Sequence, residues 1–369
     1  MASRHPLTRV VAAWGICVGL LVLAVPLGLR VTAGATACRF LAEFLTEGSR
    51  PWLSASTHAP PRESVTLVSG GTAHLWRPRG RPPHPGLVLV HGLTPEGKND
   101  PRLAWAAGLL ARAGFVVMVP DLPAMRTQRL RPDDAVAVAA AIRRLAADPA
   151  VHGYGLVMLA ISVGAAPALG AAADSEIDAR VRLFVSLGGY GDARELVRYF
   201  TTGAYTFREV SGRVHFDPAL ARAYLALNLD LVHDPSDREA VRAALAGLPL
   251  PATAGPEARA VLAVLSNRDP ARVDTLLAAL PPATQALLDA LSPARRARRL
   301  SARLLVLHGR EDQAVPFTES LRLAAAADPR RTRVMLVSLV GHVEGLTPAW
   351  QQVWEFARLW GAAYEIFRG

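Results

Sequence analysis

Lysine is almost missing from this chain. Of its 41 basic residues only Lys98 is lysine, and 40 are arginine. That skew, beside abundant alanine and proline, reads as codon bias, which undercuts a nucleic-acid reading of the net charge of +10. Zinc-finger spacing, an RRM signature and aromatic–basic stacking patterns are all absent too, so no nucleic-acid partner is expected. The densest basic clusters, Arg295, Arg296, Arg298 and Arg299 and then Arg330, Arg331 and Arg333, read as solvated surface. Cysteine is nearly absent as well. Cys17 and Cys38 alone exclude a disulfide framework and a cysteine metal site, and say nothing of redox compartment. With no Gly-x-Gly-x-x-Gly, no Walker loop and no paired His/Asp cluster, neither a cofactor nor a metal is expected. Charge is scarce at 20% and hydrophobic residues make up 51%, which excludes a disordered chain and allows a large core.

What is present begins with an apolar run. Between Arg9 and Arg30 lie twenty uncharged, mostly apolar residues, VVAAWGICVGLLVLAVPLGL. As a helix rising 1.5 Å per residue they would cross a hydrocarbon core about 30 Å thick. Residues 1–37 are therefore expected to be a transmembrane anchor, with a cleavable signal peptide as the rival, since Ala33-Gly-Ala35 and Ala35-Thr-Ala37 offer small-residue cleavage sites. Cys38 follows Ala-Thr-Ala, a poor lipoprotein box. An inside N-terminus with the large domain exported is the expected orientation. Residues 38–63 read as a juxtamembrane helix and a Pro/Ser-rich linker.

From Ser64 a βα rhythm begins. SVTLVSG and TAHLWRP form a hairpin pattern across Gly70-Gly71. Uniformly apolar strands follow at 86–90, 115–120, 155–160 and 181–189, interleaved with helices, among them one at 103–114. Such strands belong in a parallel sheet covered on both faces. Residues 190–300 carry helical patterns and no convincing sheet strand, and read as a helical cap. The rhythm resumes with ARLLVLHG, a helix at 317–327, TRVMLVSLVG and a helix at 347–366. The core is thus 64–189 with 301–369, and the cap 190–300.

Three residues lie where a doubly wound sheet gathers its site, outside the carboxyl ends of its strands. Ser162 follows LVMLAI, Asp312 follows RLLVLHG, and His342 follows RVMLVSLVG. Serine at neutral pH needs a base, a group orienting that base, and donors for the developing oxyanion. Glu311 and Asp192 are rival acids. His91 and His308 are expected to shape loops, and Glu344 to be a surface residue or a supporting partner. Lys98 is expected to make a loop-fastening ion pair, with contact to an anionic substrate as the alternative.

These motifs resemble the α/β-hydrolase superfamily, with the nearest look to its dienelactone-hydrolase, serine-aminopeptidase and prolyl-oligopeptidase-like branches. They are Val90-His-Gly-Leu93, Ala160-Ile-Ser-Val-Gly164, His308-Gly-Arg-Glu-Asp-Gln-Ala-Val-Pro316 and Gly341-His342. The resemblance covers about 64–369. It implies a mostly parallel doubly wound sheet with an inserted cap, behind the N-terminal transmembrane helix. It makes Ser162 the nucleophile, His342 the base and Asp312 its orienting acid, with the backbone N–H groups of Leu93 and Val163 as oxyanion donors. His91, Gly92, Ala160 and Gly164 would support the loop and the elbow. Ala160 departs from the usual Gly-x-Ser-x-Gly. The expected activity is hydrolysis of a small, apolar acyl ester. Amide hydrolysis or acyl transfer by the same triad, and a silent hydrophobic-ligand-binding module, are the alternatives. Tyr199, Phe200, Tyr205, Phe207 and Phe216 would line the acyl pocket or form the cap's own core.

Overall fold

The structure, a computed structural model, describes residues 31–151, 153, 155–215, 226–338 and 349–368. The apolar run at 10–29, Phe216, His342 and Glu344 lie outside the described residues. No helix among the described residues is long and apolar enough to cross a membrane.

Eight strands form one sheet: β1 (Arg62–Thr66), β2 (Thr72–Trp76), β3 (Gly86–Val90), β4 (Val116–Pro120), β5 (Leu156–Ile161), β6 (Val181–Leu187), β9 (Arg303–Gly309) and β10 (Thr332–Val337). Their order is β1-β2-β4-β3-β5-β6-β9-β10. β2 runs antiparallel to β1 and to β4, and the other pairs are parallel. Every residue of β3 and β4 is buried, as unalternating apolar strands covered on both faces must be.

One face is covered by helices Asp134–Ala146, Ala165–Ala171 and Phe317–Ala326, the other by Pro101–Arg112 and Ala349–Phe367. The helix expected from residue 103 starts at Pro101, because the Asp100 carboxylate accepts from the N–H groups of Arg102 and Leu103 and proline fits the first helical position.

The region expected as juxtamembrane helix and linker packs onto the second face. Residues 31–45 are helical, with Ala37 and Leu41 buried beside Leu359 and Ala363. Phe40 meets the Phe367 ring edge-on at 5.2 Å, and Phe44 stacks on Trp105 at 5.7 Å. The buried Glu43 carboxylate accepts from the backbone N–H groups of Leu53 (2.9 Å) and Ser54 (2.8 Å), pinning the chain that follows.

Between β6 and β9 the chain forms helices Ala193–Thr202, Pro235–Leu245, Pro256–Ser266, Val273–Ala278 and Pro282–Ala290, with two small apolar clusters of their own. This region also holds a two-stranded sheet that the pattern did not predict, β7 (Ala204–Phe207) with β8 (Val210–Arg213). Its two-residue turn carries no Asn-Gly signal; Arg208 takes the positive φ (54°) that the turn needs. Gly212 pairs with Tyr205, and a Cβ there would lie 2.2 Å from the tyrosine oxygen.

Candidate active site

β5 ends at Ile161, and the chain turns through Ser162–Gly164 into the helix Ala165–Ala171. Ser162 has φ +52°, a left-handed conformation costing a serine roughly 1–2 kcal/mol. Strain of this kind persists only where the surroundings over-determine it, and here two close approaches do so. A Cβ on Gly164 would lie 2.5 Å from the His91 carbonyl oxygen and 3.1 Å from that of Val90. A Cβ on Gly92 would lie 3.1 Å from the Ile161 carbonyl oxygen and 3.2 Å from Ser162 Cβ. The loop after β3 is thus pressed against the turn, which brings Leu93 and Val163 onto adjoining segments. Val163 is the second residue of the turn, where a helix's first N–H groups have no intrahelical acceptor.

An eight-stranded sheet with only its second strand reversed, crossed over at β3 and β4, and a strained serine turn leaving β5 define one architecture. This is the α/β-hydrolase fold.

The loop after β9 carries the candidate acid Asp312 and is called the acid loop for it. Asp312 Oδ1 accepts from the backbone N–H groups of Ala314 (2.8 Å) and Val315 (3.1 Å), and Oδ2 lies 3.4 Å from His308 Nε2. Burial pushes this carboxyl up, but His308 and the two backbone donors outweigh it and hold it below the usual carboxylate range. Asp312 is therefore ionised at neutral pH. It also reaches over the end of β6, where an added Cβ on Gly188 (φ +61°) would be 3.4 Å from Oδ2.

His308 is fully buried and does shape this loop. Its Nε2 faces two acceptors, the Val315 carbonyl oxygen (2.9 Å) and Asp312, so that nitrogen carries the hydrogen. Nδ1 meets the Ser320 hydroxyl at 2.6 Å, and Ser320 Oγ lies 3.1 Å from the Gly189 carbonyl oxygen. An added Cβ on Gly189 would be 3.5 Å from the Ser162 carbonyl oxygen. A short path of packed groups therefore links acid loop and serine turn. His91, also buried, donates through Nδ1 to the Gly92 carbonyl oxygen (2.8 Å), and burial lowers its pKa.

Each rival acid has its own surroundings. Asp192 caps the helix Ala193–Thr202, accepting from the Arg194 N–H (2.8 Å), and takes a hydrogen bond from Ser292 Oγ. Glu311 is exposed. Lys98 corrects an expectation. It is buried yet pairs with no carboxylate among the described residues. Asp100 fastens the loop instead, accepting from Thr94 Oγ1 (2.9 Å) and from Arg102. Those bonds overcome burial and take its carboxyl down to about 2.

Glu319 carries no signal in the sequence, and Tyr199, expected in the acyl pocket or the cap core, makes a contact that the sequence does not show. Tyr199 donates to the Gln313 carbonyl oxygen (2.8 Å), latching the inserted region to the acid loop, and Tyr205 reaches Phe317 edge-on at 6.1 Å. Tyr199 and Tyr205 thus pack over the acid loop, while Phe207 lies under the guanidinium groups of Arg208 and Arg322. The buried Glu319 accepts from the Gly191 (3.2 Å) and Asp192 (2.8 Å) N–H groups, holding the chain after β6. Nothing local in the sequence marks either contact, since each joins residues more than a hundred positions apart. A cavity of about 140 Å³ opens where the elbow helix meets the inserted region, between Ala166, Gly170, Leu291, Arg131 and Arg296.

No family model matches the chain, and no curated protein does. Among solved structures, Pyrococcus horikoshii acylaminoacyl peptidase is 14% identical, with a TM-score of 0.46 over 77% of this chain and 38% of its own. The chain spans little more than a third of that peptidase. A 2,6-dihydroxy-pseudo-oxynicotine hydrolase is 15% identical, with a TM-score of 0.46 over 94% and 82% of the two chains. A membrane phospholipase A described as a bacterial virulence factor is 18% identical, with a TM-score of 0.42 over 98% of each. The strand order and the elbow, not these likenesses, carry the fold assignment.

The elbow makes two steric predictions. Gly164→Ala should remove active-site labelling by a fluorophosphonate and destabilise the protein by about 1–3 kcal/mol, since a methyl group would meet the His91 carbonyl. Thermal unfolding and gel labelling check both. Ala160 is fully buried between Val90 and Ser186 on the neighbouring strands. Ala160→Gly should leave turnover largely intact, whereas Ala160→Val should crowd the turn and lower it, as a nitrophenyl-ester assay would read.

Proposed function

We propose that this protein is a serine hydrolase that cleaves carboxylic esters through an acyl-enzyme. The observation that carries this is Ser162 held at φ +52° on a strand-to-helix turn, with the loop after β3 packed against it. A strained serine facing glycine-lined backbone is what acyl transfer requires, and a merely structural strand-end serine has no reason to bear that strain. In the proposed reaction Ser162 Oγ attacks the acyl carbonyl, and His342 takes its proton and returns it to the leaving alkoxide. Asp312, ionised, holds the imidazole tautomer and stabilises the imidazolium. The Leu93 and Val163 N–H groups receive the oxyanion, and one such donor is worth about 3–4 kcal/mol of barrier. Water then repeats the sequence on the acyl-enzyme.

The ester preference draws on the inserted region, whose Tyr199 and Tyr205 pack against the loop after β9 and the helix that follows it. Residues 10–29 would anchor the enzyme in a membrane with the hydrolase domain outside the cytoplasm. Parallel assays of a nitrophenyl-ester chain-length series and of aminoacyl anilides test the substrate class. Esters should turn over faster, with a preference among chain lengths; faster anilide cleavage would assign the enzyme to amide chemistry.

A further inference from the structure

Among the described residues, every exposed tryptophan lies in one layer of the molecule. Trp52, Trp105, Trp354 and Trp360 are 51%, 37%, 67% and 36% exposed. Trp105 belongs to the helix Pro101–Arg112, Trp354 and Trp360 to the helix Ala349–Phe367, and Trp52 to the segment pinned by Glu43 and Arg112. The helix at 31–45 ties them together: Phe44 stacks on Trp105, and Trp360 Nε1 donates to the Gly34 carbonyl oxygen (2.9 Å). Trp360 stacks in turn on Tyr364 at 5.4 Å. The opposite face of the sheet shows solvent no described tryptophan.

Exposed indoles are costly in water and favoured at the boundary between lipid headgroups and acyl chains, where the ring is apolar and the N–H still finds an acceptor. The chain's own layout says what covers this layer. The apolar run ends at Leu29, and Val31, 64% exposed, already begins the docked helix whose Ala33 and Ala37 are buried. Four residues of chain reach at most about 14 Å. An anchor at 10–29 therefore holds the start of the docked helix, and with it this side of the molecule, close to the bilayer.

We infer that the layer formed by the helices at 31–45, Pro101–Arg112 and Ala349–Phe367 lies on the membrane, with Trp52, Trp105, Trp354 and Trp360 seated in its interfacial zone. The inference rests on reading 10–29 as a retained membrane anchor. Because the catalytic edge of the sheet is at the rim of this slab rather than on its far side, the site would open along the membrane surface, toward amphipathic esters leaving the bilayer.

Full-length protein carrying Trp14→Phe and Trp350→Phe, reconstituted into phosphatidylcholine vesicles, tests this. With brominated acyl chains in the lipid, most tryptophan emission should be lost relative to unbrominated vesicles. Adding Trp354→Phe, which spares the bond from Trp360 to Gly34, should lower the quenchable share, and replacing all four should leave mainly the unquenched emission of buried Trp76. Vesicle-bound protein without quenching overturns the orientation and leaves the anchor standing; a second copy covering the indoles would give this outcome. Failure to co-sediment with vesicles overturns the anchor and the orientation together.

Discussion

Ser162→Ala should abolish labelling by a fluorophosphonate and lower ester turnover by at least about 10⁴-fold, because no other group can take over the attack. The replacement keeps the turn's geometry and its strain, so circular dichroism should be unchanged. A companion variant isolates that strain. Ser162→Gly should be equally inactive yet more stable than Ser162→Ala by about 1 kcal/mol, since glycine occupies φ +52° without steric penalty. Part of that gain is offset by glycine's larger unfolded-state entropy, so chemical denaturation of both variants must be compared directly. Equal stability, with full activity in Ser162→Ala, would remove Ser162 from an elbow and from catalysis.

Asp312→Asn should lower kcat by about 10⁴-fold, as expected when the base loses the partner that fixes its tautomer. The local structure adds a second reason. His308 Nε2 lies 3.4 Å from Oδ2 while the N–H groups of Ala314 and Val315 donate to Oδ1, so an asparagine NH₂ would face a donor in either orientation. Asp192→Asn is the control. Asparagine caps helices as well as aspartate does, so the helix Ala193–Thr202 and turnover should both survive. Loss of activity in Asp192→Asn with retention in Asp312→Asn would transfer the acid's role to the end of β6.

Much of this was readable before any tertiary structure. Uniform apolar runs such as GLVLV and VVMVP have one stable environment, a sheet buried on both faces, and short helices between them compel parallel neighbours. Ser162 and Asp312 could be picked out because strand ends are visible as the point where such runs stop. The β7–β8 hairpin could not: its turn uses Arg208 at positive φ in place of a glycine or asparagine, and its strands are four residues long. Lys98 misled for a different reason. Nearby acidic residues suggested an ion pair, but Asp100 was already committed to a helix cap and to Arg102.

Ala160 shows where the boundary falls. Its departure from the usual Gly-x-Ser-x-Gly is plain in the sequence, but local pattern alone offers no way to weigh one methyl group. The close approach that matters is at the other glycine, where the His91 carbonyl leaves Gly164 no room for a Cβ. Periodicity and strand-end chemistry, which are local, determined the sheet strands, their order along the chain, and the placing of Ser162 and Asp312 at strand ends. The tertiary structure alone decided the strain at Ser162, the Tyr199 latch, the Glu319 clasp, and the docking of residues 31–45 that puts four tryptophans in one layer. Each of these depends on backbones from distant parts of the chain meeting within a few ångströms, and no spacing along one strand or helix encodes such a distance.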